Sequence, residues 1–411
     1  MKRFGRYTAY LGVALTIFLV LVAAGKTIKV VRETPAREGP GSYYKLVKVI
    51  PEGTTLEVLE TKKNWHKVKY DKVEVWISEN SIAKEKAKAT TDVFGSLAAG
   101  PVSTGASPAT LTAAIKGFWI RYNKSSEQPV ELPVNGYEIP SGVYESFESG
   151  HSRAVKKDQL FKKYKLRSDY RKGLPSYEKE MSIGYTCVSS VADAPLIEDE
   201  SLIRYLYSVG WYVGESTERY DMRYIFYVLD TDRVNAVSAP GGYIILTRGL
   251  LELMRDESEL AALLAHEMAH IVAGHGAREV VDDKLRIKTD KAFQALERET
   301  GKSSEIEADL LAVAERAITF VKRPKLDKYE YEADEMAIRY LARCGYDLGG
   351  LTRLLTNLND KHARNIDMFD INYKNHPDFR ERLKRVNDEI KDYKRYNGMR
   401  FEDDFKRNMK L

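Results

Sequence analysis

The sequence predicts an α+β protein: a small all-β module in front, then a mainly helical unit with a small sheet that offers an edge strand. Three observations carry this. Leu56 and Val58, then Val73, Val75 and Ile77, alternate with polar residues, the period of half-buried strands. From Asp256 to Gly274 the chain is apolar nearly all round, with Leu260, Ala261, Leu263, Leu264, Ile271 and Val272, which marks a core helix. Just ahead of it, 224–229 and 243–246 read as strands. At 411 residues, with 43% hydrophobic and 30% charged side chains, the chain is of ordinary globular composition and has room for two or three domains.

Residues 1–24 read as a secretory signal: a basic start, an apolar run from Leu11 to Val22, then Ala23-Ala24, with Val22 and Ala24 suiting the small-residue cleavage rule. The rival reading is an uncleaved anchor, which would be the protein's contact with a membrane. The chain is therefore expected to be exported, to the periplasm or cell envelope. The formal charge of +5 falls to +2 without Lys2, Arg3 and Arg6, which leaves no case for nucleic acid.

Residues 27–85 read as the barrel. Pro51-Glu52-Gly53 and Lys63-Asn64 are turn chemistry. Trp65-His66-Lys67-Val68 and Val75-Trp76-Ile77 resemble strands of bacterial Src-homology-3-like domains. That resemblance implies a cell-wall or peptide ligand, unless Trp65 and Trp76 are simply core. Residues 86–112 are rich in Ala, Thr, Ser and Gly and read as a flexible linker that would let the barrel move against the rest. Residues 113–177 interleave tyrosines with lysines, either a basic surface or, more simply, a solvated helical face. His151 has no partner legible there.

The helical unit occupies 178–395, with 396–411 as a C-terminal tail. Asp256 with Glu259 forms a capping box that starts the core helix, and Gly274 is placed to end it. Within it stands His266-Glu267-Met268-Ala269-His270. Two histidines four apart share one helix face and can grip one metal ion. Neutral imidazoles suit Zn²⁺, which in catalytic sites takes three protein ligands and keeps a position for water. Glu267, beside the pair, is placed as a general base for hydrolysis. The simpler alternative is two satisfied core histidines. A third histidine at 276 would make a different zinc class, but Gly276 stands there. Further on, Glu330-Tyr331-Glu332-Ala333-Asp334 opens a helix after Pro324 that ends near Cys344-Gly345. Glu330 and Asp334 lie four apart on one face, so Glu330 can ligate while Asp334 orients a ligand histidine; taken alone, an acidic first turn simply complements the helix dipole. Between the two metal helices, 276–323 is charged and helical, with Leu311, Val313, Ala314, Ala317 and Ile318 as an apolar stripe; it packs over the cleft or is inert bulk. Cys187 and Cys344 either pair or stay as buried thiols.

Together these motifs resemble the zinc metallopeptidases that include HtpX and the CAAX prenyl proteases. The matching pieces are Asn235-Ala236, Pro240-Gly241-Gly242-Tyr243, Thr247-Arg248-Gly249-Leu250, the His266–His270 motif with His275 following, Glu330–Asp334, and Asn375-His376-Pro377 with Arg382. The resemblance implies one Zn²⁺ per chain on His266, His270 and Glu330, with Glu267 as base and Asp334 behind the ligands. His376 and Arg382 match the family's His-Pro motif near the site. Leu326-Asp327 departs from the Ser-Arg that often precedes the glutamate helix. The expected function is a zinc endopeptidase acting on unfolded or misfolded envelope polypeptides. The alternatives are a non-catalytic envelope binding or chaperone-like protein that works through the barrel, and a wall hydrolase, which would normally use another ligand set. Pro240-Gly241-Gly242 leading into 243–246 is expected to start an edge strand that holds an extended substrate.

Overall fold

A computed structural model of the chain describes residues 26–82, 130–167, 177–275, 326–369 and 378–410, with Ala109 and Thr112 besides. The N-terminal signal or anchor, the linker apart from those two residues, the 276–323 segment and His376 lie outside the described residues. The fold is α+β.

The front module is a six-stranded antiparallel sheet, in the order β1-β4-β5-β6-β2-β3. Its strands are β1 (Thr27–Lys29), β2 (Thr34–Arg37), β3 (Leu46–Ile50), β4 (Thr55–Lys62), β5 (Trp65–Tyr70) and β6 (Val73–Ser78). Asp71 and Lys72 both take positive φ, the primed turn that joins β5 to β6 through two residues. Val30, Ile50, Leu56, Val68, Val75 and Ile77 fill the barrel interior. Trp76 and Ser78, on the other face of β6, are buried as well.

The reason is that the barrel is docked. Trp65 and Trp76 pack on Tyr220, with the Trp65 and Tyr220 rings edge-on at 6.2 Å. Ser78 Oγ donates to Tyr220 Oη at 3.1 Å, and Asn80 Nδ2 donates to Glu218 O at 3.1 Å and Asp221 Oδ1 at 3.0 Å. Arg32 pairs with Asp221, while Val49 of β3 packs into the core under the second sheet. The barrel expected to move on its linker is instead held by a buried aromatic and ionic contact. The two tryptophans belong to that contact.

Burial works against the Asp221 carboxylate, yet Arg32 and Arg219 hold its pKa below the ordinary value. The stability this lends to docking is present above the usual aspartate range and fades only as pH falls through the lowered value. Replacing Tyr220 with alanine should cost about 3 kcal/mol of interface packing. It should also shift tryptophan emission to the red as Trp65 and Trp76 meet water. Unchanged emission would mean the docked contact does not hold the barrel.

Behind the barrel come α1 (Ser141–Val155), α2 (Lys157–Lys163), α3 (Tyr177–Ser189) and α4 (Glu200–Gly214). Asp199 caps α4 by accepting from Leu202 N at 2.8 Å. The second sheet holds β7 (Ile225–Leu229), β8 (Ala236–Ala239) and β9 (Tyr243–Thr247) in the order β7-β9-β8. This corrects the sequence expectation. The 243–247 strand is central, paired with β7 through Phe226 opposite Ile244 and with β8 through Ser238 opposite Ile244. Pro240-Gly241-Gly242 serves the tight connection between β8 and β9, with φ of 75° and 88° at its glycines. Ile244 therefore has no backbone edge to offer a substrate. Among the described strands, β8 has no second partner and lies beside the metal-motif helix.

After the short α5 (Arg248–Leu251), helix α6 (Glu257–Ala273) carries that motif and is buried along its whole length. Asp256 Oδ1 accepts from Glu259 N at 3.0 Å, and Gly274 closes the helix in the left-handed conformation at φ 65°. Helix α7 (Asp327–Cys344) packs along α6 and ends at Gly345, φ 84°. Helices α8 (Gly349–Arg364), α9 (Phe379–Ile390) and α10 (Glu402–Asn408) complete the unit. The tail is anchored by Phe405, which is buried, and by Arg400, which grips Asp256. Cys344 sits in the core around α6, Cys187 in the separate core beneath the sheet; both are free thiols. No helix among the described residues is long and apolar enough to cross a membrane.

Candidate active site

The centre of the helical unit is a pocket of donors held by two helices. His266 and His270 face the same way because they stand one turn apart on α6. Their Nε2 atoms are 3.1 Å apart. Glu330, in the first turns of α7, brings Oε2 to 3.3 Å from His266 Nε2 and Oε1 to 3.2 Å from His270 Nε2. All three residues are buried, and their donor atoms lie within 4.8 Å of one another. Two imidazole nitrogens and one carboxylate are the donor set of a catalytic zinc, with a position left for water. The residues present fit that ion.

Each donor is braced from behind. His266 Nδ1 is 2.9 Å from Asp334 Oδ1. Asp334 in turn receives two parallel bonds from Arg382 on α9, Nε to Oδ2 at 2.8 Å and Nη2 to Oδ1 at 2.7 Å. Arg382 Nη1 also reaches Glu330 Oε2 at 3.1 Å. Burial works against charge here, but the local pairings outweigh it. Burial lowers the His266 pKa, yet the carboxylates of Asp334 and Glu330 lift it to about 9. Burial raises Asp334, but Arg382 and His266 hold it below the ordinary value.

The structure brings together His266, His270, Glu330, Asp334 and Arg382, five of the seven residues singled out from the sequence; the sixth, Glu267, follows His266 on the same helix. The seventh, His376, lies outside the described residues. Glu267 is buried, next along α6 from His266. One residue at the centre had no role assigned from the sequence. His275, just past the Gly274 cap, puts Nδ1 2.8 Å from His270 Nδ1. A histidine directly after a helix-ending glycine, five residues beyond a ligand, was the available signal. His151 finds its partner too: Nε2 lies 2.8 Å from Glu257 Oε1, where Tyr346 and Tyr205 also bond that carboxylate.

Residues 206–390 match the family model for peptidase family M48, and residues 32–83 match that for the bacterial SH3 domain. Over the first of these spans the helical unit is similar to peptidase family M48. Curated relatives include a beta-barrel assembly-enhancing protease of Yersinia pestis, 27% identical over 194 residues, covering 45% of this chain and 39% of the relative. The metalloprotease YcaL of Escherichia coli is 30% identical over 162 residues, 39% of this chain and 59% of that protein. The chain thus spans about two to three fifths of the length of these relatives. Leu326, where such peptidases often carry Ser-Arg, leaves α7 without a side-chain cap. Glu330 is nevertheless placed, because Arg382 and the α6 histidines surround it.

Proposed function

We propose that the protein is a zinc-dependent endopeptidase that hydrolyses peptide bonds in unfolded or misfolded envelope proteins. The observation that carries this is the convergence of His266 Nε2, His270 Nε2 and the Glu330 carboxylate within 4.8 Å. Held by those three, zinc would supply Lewis acidity to the scissile carbonyl and acidify a water. Glu267 takes the proton of the attacking water and passes it to the leaving amine. Asp334 accepts from His266 Nδ1, which keeps the Nε2 lone pair pointed into the pocket. Arg382 holds Asp334 and Glu330 in register. His376 is proposed to steady the negative oxygen that develops on the substrate carbonyl.

An extended peptide adding to this sheet would use β8, the edge strand that packs beside the metal-motif helix. Main-chain pairing of that kind depends on backbone more than side chains and favours unfolded polypeptides. Envelope substrates are supported by the export-type N-terminus and by similarity to a relative named for enhancing β-barrel assembly. The docked barrel would then be a fixed part of the helical unit rather than a tethered ligand binder.

The metal content tests the reading directly. Purified protein should carry about one zinc per chain, as three protein ligands imply. Glu330→Gln should lose most of it, because a neutral amide replaces a charged ligand. Equal zinc in parent and variant would move the third ligand elsewhere.

A further inference from the structure

His270 meets the metal pocket with one ring nitrogen and a second histidine with the other. Its Nε2 lies beside His266 and Glu330, while its Nδ1 is 2.8 Å from His275 Nδ1. His275 is fully buried, its ring stacked on Tyr329 at 4.4 Å. Its Nε2 is 3.0 Å from Glu332 Oε2. Glu332 belongs to α7, two residues after Glu330.

Only one placement of protons on the neutral rings satisfies the whole chain. If His270 carries its proton on Nδ1, it donates to His275 Nδ1, and His275 donates from Nε2 to the Glu332 carboxylate. Reversing the first bond would put the His270 proton on Nε2, where it would block a metal. It would also leave the His275 Nε2 lone pair facing a carboxylate oxygen, two acceptors in contact. We propose that Glu332 and His275 form a relay that orients His270 and fixes its tautomer, so that His275 is a positioning residue for metal binding. This rests on the zinc reading of the pocket and adds to it.

The relay explains two local features. Gly274 turns the chain back over the end of α6 at φ 65°, which sets the His275 ring against His270. A Cβ at residue 274 would touch nothing within 4 Å, so the left-handed backbone itself is what selects glycine. The relay also makes the support of the two histidines unequal. His266 leans directly on Asp334, whose charge Arg382 matches. His270 leans on a neutral histidine, and the carboxylate behind it is 28% exposed. Three side chains of α7, Glu330, Glu332 and Asp334, therefore supply one ligand and the supports of both others.

The test is zinc affinity by competition with a chromophoric chelator, alongside melting of the metal-free proteins. His275→Phe keeps a flat ring on Tyr329 but gives His270 Nδ1 no acceptor. His275→Gln loses the stacked ring but keeps an acceptor oxygen and a donor. Losing such a support typically weakens metal binding by about 10–100-fold. His275→Phe should fall in that range, and His275→Gln should recover most of the loss even if its metal-free form melts lower. A role in packing alone predicts the opposite order. Glu332→Gln, on a partly exposed side chain that threatens folding least, should weaken zinc by about tenfold, the lower end of that range. It also carries the test if the phenylalanine variant does not fold. Parental affinity in His275→Phe or in Glu332→Gln would overturn the relay while leaving the metal site intact. A parent protein that takes up no zinc would overturn the metal reading itself, and the relay with it.

Discussion

Glu267→Gln is expected to keep about one zinc per chain and an unchanged melting temperature while turnover on an unfolded protein falls by about 10²–10⁴-fold, the usual worth of a general base. Glu267 is not among the converging metal donors, so neutralising it should leave the ion in place. The amide has the same shape as the carboxylate and can still hydrogen bond to water, but it cannot take the proton. The measurement is single-turnover cleavage of a denatured protein, with metal content determined on the same preparation. Parental turnover in the variant would remove Glu267 from the chemistry. A zinc-loaded parent that cleaves no denatured substrate at all would favour a non-catalytic envelope binding protein.

What could be read from the sequence was local, and what could not was set by distant partners. Helix α6 was legible in full because its signals are all its own: the Asp256 cap, the Gly274 stop, and two histidines one turn apart. Helix α7 was legible for the same reason, from Glu330 and Asp334 on one face to Gly345 at its end. The sheet order was not. Strand β8 is Ala236-Val237-Ser238-Ala239, buried at every position, so it shows no alternation. Without it, the Pro-Gly-Gly turn read as the start of an edge strand. The docking of the barrel was equally hidden. Trp65 and Trp76 alone cannot reveal that Tyr220 lies against them, since Ser78 and the tyrosine it bonds are 142 positions apart. His151 was unreadable because the Glu257 it meets is 106 residues away. Short-range capping and spacing rules place helices and the side chains on them, whereas strand pairing and domain contacts depend on surfaces no window contains.

Arg382→Met should destabilise the metal-free protein far more than the zinc-loaded protein. In the structure one buried guanidinium faces two buried carboxylates, Nη1 toward Glu330 and the Nε–Nη2 edge onto Asp334. Methionine fills much of the same space but leaves both carboxylates facing an apolar group. Removing one partner of a buried pair costs about 3–5 kcal/mol, because the charges left behind stay out of water. For a unit of this size that is a drop of roughly 10 °C in melting temperature. A bound divalent cation changes the balance. Facing Glu330 directly, it supplies positive charge that the missing guanidinium no longer provides, so part of the loss is restored. Asp334 would still lack its bidentate partner, so the zinc-loaded variant should melt below the zinc-loaded parent, but by a smaller margin. Arg382→Lys should fall between the two, since a single ammonium cannot bridge both carboxylates in the same geometry. Paired melting curves with and without zinc read this out. Equal shifts in both states, or a larger one with metal bound, would show that Arg382 does not balance the ligand carboxylates and serves only to pin α9 against α7.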